Sequence, residues 1–130
     1  TLHFAQAFID QNPKSIFCYV SGAGTDSTEK GRSMWARVKG KTENDLLSMD
    51  FKGAYMFRPG YIQPLRGIKS KTGWYQALYN VFWPIYLILK RIPGAATNTT
   101  QMGLAMINTL GGKCSKNILE TRDINELSAT

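Results

Sequence analysis

One histidine and two cysteines among 130 residues leave little from which to build metal or hydrolytic chemistry. His3 cannot by itself assemble a zinc site or a Ser-His-Asp triad. Cys18 sits inside an apolar run and Cys114 follows a Gly-Gly pair. That is neither a metal-ligand spacing nor a disulfide framework, so reduced thiols and a cytoplasmic setting are expected. Long apolar runs are scarce as well. The densest, Val81 to Leu89, falls well short of the roughly 20 residues that span a bilayer, and Pro84 interrupts it. Thr1 to Gln11 has neither the basic start nor the small-residue cleavage site of a secretory signal. Acidic residues are the minority, nine against sixteen Lys and Arg, for a net charge of +7. The excess is spread over Lys30 to Lys41, Arg66 to Lys71, Lys90-Arg91 and Lys113 to Lys116, with no aromatic-interleaved stripe. It reads as solvated surface charge, with phosphate binding or a membrane-surface contact as the alternative; nucleic acid is set aside. No internal repeat, low-complexity tract or second-domain linker is present.

What is there is a globular composition, 43% apolar and 19% charged, arranged in alternating elements. Leu2, Ala5 and Ile9 recur at helical spacing, with Phe4 and Phe8 beside them, and Pro13 marks the stop. Ser15 to Ser21 reads as a buried strand and Gly22 to Gly31 as a loop. Ser33 to Met49 reads as a helix whose Met34, Trp35, Val38, Leu46, Leu47 and Met49 face a sheet, and Ala54 to Phe57 as a second strand. Trp74 to Leu89 is an aromatic-rich helical stretch with a break near Pro84, suited to capping a crevice. Thr99 or Thr100 caps a further helix carrying Met102, Ala105, Met106 and Leu110, which Gly111-Gly112 ends. Asn117 to Glu120 is a short strand, and Asp123 with Glu126 has the spacing of a helix start. The αβαβ order predicts a doubly wound α/β sheet, with ligands at the carboxyl ends of parallel strands.

Three segments carry a family resemblance. Tyr19-Val20-Ser21-Gly22-Ala23-Gly24-Thr25-Asp26-Ser27, then Trp35-Ala36-Arg37-Val38-Lys39-Gly40-Lys41-Thr42-Glu43, then Phe57-Arg58-Pro59-Gly60-Tyr61-Ile62-Gln63-Pro64 occur in that order. Together they resemble the atypical short-chain dehydrogenase/reductase group often labelled NAD-dependent epimerase or NAD(P)H-binding protein. The match runs over nearly the whole chain but corresponds to the C-terminal part of a Rossmann-type domain. Gly22-Ala23-Gly24 would need glycine at position 27 to complete the pyrophosphate-binding G-x-G-x-x-G turn, and Ser27 stands there. The expectation is a fragment without its glycine-rich N-terminal half: residues 1–62 hold sheet and site segments, and residues 63–130 a substrate-side cap and a final helix-strand-helix.

The resemblance implies NAD or NADP as cofactor and assigns roles. Lys39 would bond the nicotinamide ribose and make a neighbouring tyrosine a stronger acid, and Ser21 would position the substrate oxygen. Pro59, Gly60, Tyr61 and Ile62 would pass the nicotinamide carboxamide, with Gly22 and Trp35 on the substrate side. The departure is Trp35, which stands where the family carries tyrosine, four residues before the lysine. An indole N–H donates a hydrogen bond but does not titrate, so it cannot deliver and recover a proton. Tyr61 is a candidate replacement, and Arg66, Lys69 and Lys71 are candidates to meet an anionic substrate. Two functions are expected: an NAD(P)-dependent oxidoreductase or nucleotide-sugar epimerase-like enzyme acting on a small-molecule substrate, or a non-catalytic dinucleotide-binding regulator or scaffold. A homo-oligomer is compatible with both. In the missing half, an acidic residue after the second strand would favour NAD and a basic one NADP.

Overall fold

The computed structural model describes residues 1–63 and 96–130, together with Pro84 and Ile88. In chain order these form α1 (Leu2–Gln11), β1 (Ile16–Val20), α2 (Met34–Leu47), β2 (Gly53–Arg58), β3 (Tyr61–Gln63), β4 (Ala96–Asn98), α3 (Thr99–Leu110), β5 (Ile118–Glu120) and α4 (Thr121–Ser128). The protein is a mixed α/β structure around an open three-stranded parallel sheet in the order β1-β2-β5, and β3 and β4 make a separate parallel pair. The register runs from Ile16 opposite Gly53 to Val20 opposite Phe57, and Arg58 lies opposite Glu120 on the other side of β2. Among the described residues no helix is long and apolar enough to cross a membrane.

Strand alternation sorts the side chains onto two faces. Ala54 and Met56 pack with Ala5 of α1 and Leu46 of α2, and Phe17, Tyr19 and Ile118 join them. Phe57 packs instead with Met102 and Ala105 of α3, Leu119, and Ile124 and Leu127 of α4, with Cys18 and Tyr55 alongside. Helices therefore cover both faces of the sheet. Because β1 and β2 are parallel, α2 must carry the chain back from the carboxyl end of one to the start of the other. Its N-terminus thus lies at the carboxyl ends of the strands, where the candidate residues fall.

Several expectations are corrected. Met34, Trp35 and Val38 do not face the sheet; they are 70%, 48% and 58% exposed. The inner stripe of α2 is Ala36, Gly40, Glu43 and Leu46. Gly40 explains the choice, because a Cβ there would collide with the Asp26 carbonyl oxygen. Only a bare backbone lets the loop between β1 and α2 lie against the helix, fixed by the Asp26 N–H donating to the Ala36 carbonyl at 3.0 Å. β1 is half-buried rather than buried, since it pairs only with β2 among the described residues. Asn98, not Thr99 or Thr100, caps α3: its side-chain oxygen accepts from the Gln101 N–H at 2.8 Å. Thr109 rather than Leu110 is the last buried residue of that helix. Asp123 is the third residue of α4 rather than its cap, and its carboxylate accepts from the Glu120 N–H at 3.1 Å.

Candidate active site

The β1–β2 ladder continues past the strands themselves. The Ser21 N–H donates to the Phe57 carbonyl at 2.9 Å and the Ala23 N–H to the Pro59 carbonyl at 3.0 Å. Ser21 and Arg58 thereby end neighbouring strands on the face that α2 covers. Side chains on a helix tilt toward its N-terminus, so Glu43 leans up to meet them. The Ser21 hydroxyl donates to Glu43 Oε1 at 2.5 Å, and Arg58 Nε lies 3.2 Å from both carboxylate oxygens. Arg58 Nη2 adds contacts of 2.5 Å to Glu43 Oε2 and 2.6 Å to the Ser27 hydroxyl, while Nη1 reaches Glu120 Oε1 at 3.5 Å. Glu43 is fully buried and Arg58 nearly so. Hydrogen bonding to Glu43 raises the Arg58 guanidinium above its ordinary pKa, outweighing the opposite pull of burial.

One turn nearer the helix start, the Lys39 ammonium lies 3.4 Å from the Tyr19 phenol oxygen and 5.5 Å from the centre of its ring. Trp35 precedes Lys39 by one turn and shares its side of the helix. Its indole carbons Cη2 and Cζ2 lie 3.4 Å from where a side chain on Gly22 would begin. Ser21, Gly22, Trp35 and Lys39, widely spaced in sequence, are thus gathered at the carboxyl end of β1. Tyr19 joins them from β1 itself, two residues before Ser21 and on the same face.

The Pro59-Gly60 turn is more committed internally than its sequence implies. Pro59 is buried and has no N–H, its carbonyl accepts from Ala23, and the Gly60 N–H donates to Thr121 Oγ1 at 2.8 Å. Tyr61 and Ile62 do not continue as a loop but open β3, where they pair with Ala96 and Thr97. Arg66, Lys69, Lys71 and the Trp74 to Leu89 cap lie outside the described residues, apart from Pro84 and Ile88, which are helical and exposed.

Three participants went unrecognised in the sequence. Glu43 carried a signal, since it follows Lys39 by four residues and falls in register with Ala36 and Gly40. Arg58 carried one too, sharing the alternation phase of Ala54 and Met56. Tyr19 was hidden by its apolar neighbours. Among the described residues no group of three or more His, Cys, Asp or Glu is placed to hold a metal ion. No protein-family model matches the chain, and no curated protein matches it.

Proposed function

We propose that the chain is the C-terminal part of a doubly wound, Rossmann-type NAD(P)-binding domain of the short-chain dehydrogenase/reductase kind. In this reading it acts as an oxidoreductase or nucleotide-sugar epimerase-like enzyme on a small-molecule substrate. One observation supports the reading: Ser21, bonded to Glu43, and Lys39, held by Tyr19 of the same strand, lie toward the carboxyl end of an open parallel sheet covered by helices on both faces, which is where such sheets hold ligands. The dinucleotide supplies hydride transfer at its nicotinamide ring. In this reading the protein supplies Lys39 as a charged donor toward the ribose hydroxyls, and the exposed Trp35 indole, seated against Gly22, as a face along which a flat ring can lie. The Glu43–Arg58 pair fixes the Ser21 strand end relative to Pro59-Gly60.

Trp35 favours a second reading, in which the domain binds the dinucleotide without turnover and serves as a regulator or scaffold. Both readings require Lys39 at the cofactor. In the complete protein, Lys39→Ala should weaken dinucleotide binding by roughly 1.5–3 kcal/mol, the range for a hydrogen bond from a charged group, with the fold retained. Calorimetric titration measures it. Unchanged affinity in a folded variant would make Lys39 a partner of Tyr19 alone, and absence of dinucleotide binding by the parent would sink both readings.

A further inference from the structure

We propose that the outer face of α3 is a contact between two copies of this chain, the helices crossing antiparallel about a twofold axis beside Ile107. The inference does not depend on dinucleotide binding. Leu104, Ile107 and Leu110 are 44%, 61% and 66% exposed, although the inner face of the same helix is anchored by Met102, Ala105 and Thr109. At 3.6 residues per turn the two leucines lie about 60° to either side of Ile107, so the three form one face. Other exposed apolar side chains have company that this face lacks. Phe4 and Phe8 stack on each other at 6.0 Å and pack on Phe17, while Met34, Trp35 and Val38 share α2 with Arg37, Lys39 and Lys41. Alone among the described helices, α3 carries no charged residue along its length.

Charge decides the occupant. Each copy carries a net charge of +7, so two copies repel wherever one basic surface meets another, and an uncharged face is where they can approach. An acidic partner would be drawn instead to lysines and arginines, and α3 offers none.

The face is also complementary to itself, as a twofold contact requires. In an antiparallel pair, positions equally far from Ile107 come level with one another. Leu104 is then level with the partner's Leu110, and Gly103 with the partner's Gly111. Each leucine is thereby brought beside a bare backbone of the other helix, Leu110 beside Gly103 and Leu104 beside Gly111. Gly103 has no atom within 4 Å of where a side chain would begin, so nothing of its own chain blocks the approach, and the small residues set a short distance between the axes. A helix of 12 residues is about 18 Å long. One such crossing covers less than the roughly 800 Å² per partner of a standard interface, which makes the dimer reversible, with dissociation in the micromolar range.

The test is sedimentation velocity of the complete protein over a concentration series, as parent and as Ile107→Lys, a position whose side chain reaches solvent in the single copy. The parent should pass from monomer to dimer as concentration rises. Ile107→Lys should weaken self-association about a hundredfold or more, because the axis sets two ammonium groups against each other, while the circular dichroism of the parent is kept. Met34→Lys, at a position 70% exposed on α2, should leave the dimer intact. Ile107→Cys adds a positional readout. A residue on the axis faces its own copy, so a short bismaleimide should join position 107 of one copy to position 107 of the other, identified by peptide mass mapping. A parent that stays monomeric throughout the series, or a dimer that Ile107→Lys leaves unchanged, overturns the proposal. So does a dimer broken by Met34→Lys, which assigns the contact to α2, and so does a chain that is monomeric alone and uses α3 only to bind a different protein. Dinucleotide titration of the same variants is a separate measurement, so failure of the dimer leaves the functional reading as it stands.

Discussion

On the α3/α4 side of the sheet, Phe57, Leu119, Ile124 and Leu127 are buried against one another without a charged group among them. On the α1/α2 side the apolar packing of Ala5, Leu46, Ala54 and Met56 gives way, at the carboxyl ends of the strands, to Glu43 and Arg58. Both faces arise from the same strands by simple alternation, yet they are held by different physics. The apolar face rests on many non-directional contacts, each tolerant of small change. The polar corner rests on a few directional bonds, and each one, if broken, strands a desolvated charge. A fold that keeps its candidate site beside the second kind of packing holds Ser21 and the strand ends in one geometry, but stakes more stability on single residues.

The sharpest way to break this contrast is to remove one charge. Glu43→Leu should destabilise the protein by about 3–5 kcal/mol, because the nearly buried Arg58 then keeps only the Ser27 hydroxyl and the long 3.5 Å contact to Glu120. The double variant Glu43→Leu/Arg58→Met should recover most of that loss, since an apolar pair of similar volume has no charge to desolvate. Leu119→Ala on the other face should cost about 2–5 kcal/mol with no single compensating substitution, because a cavity has no partner to remove. Denaturant unfolding of the four proteins decides between them. Equal stability of the single and double variants at the polar corner would mean that the two faces do not differ in kind.

The same contrast explains what could be read in the sequence. β1, β2 and β5 were legible because apolar runs bounded by turn residues leave few other solutions, and α1 because Leu2, Ala5 and Ile9 keep a clean period. α2 was legible as a helix but not in its orientation. Met34, Trp35 and Val38 outweigh Ala36, Gly40 and Glu43 on any hydropathy reading, whereas burial was decided by which residues let the Asp26 loop approach and which could reach Arg58. The site divided in the same way. Ser21 and Lys39 were singled out through a resemblance, but the partners of both, Glu43 and Tyr19, depend on three-dimensional neighbours that no spacing rule specifies. The caps of α3 and α4 were each misplaced by one to three residues, because several polar residues in a row could serve and only strand length settles which does.

Gly40 offers a smaller perturbation that tests the polar side alone. Gly40→Ala places a methyl group against the Asp26 backbone, where neither helix nor loop has a flexible side chain to give way. Overpacking of this kind costs about 1–3 kcal/mol, more than offsetting the roughly 1 kcal/mol that alanine gains over glycine in a helix. Net destabilisation, with faster proteolysis in the loop between β1 and α2, is expected. A variant more stable than the parent would show that the loop does not rest on the helix.

The smallest effect is expected where a polar contact serves the apolar face from outside. Asp123 lies in the first turn of α4, the helix whose Ile124 and Leu127 complete that core. Partial burial pushes its pKa upward, but the Lys116 ammonium at 2.7 Å and the Glu120 N–H at 3.1 Å prevail and hold it below the ordinary carboxylate range. A carboxylate depressed by folding contributes stability above its unfolded pKa, near ~3.9 for aspartate. That contribution is lost as pH falls through the lower folded value. The Lys116 side chain is 64% exposed, so solvent screens the pair and its worth is small. Asp123→Asn should therefore cost roughly 0.5–1 kcal/mol at neutral pH, and the gap to the parent should close as the solution is taken toward about pH 2. Unfolding curves of both proteins across that range measure it. A gap that stays constant with pH would assign the loss to a disturbed hydrogen bond at the start of α4, which asparagine then fails to reproduce, and not to the charge.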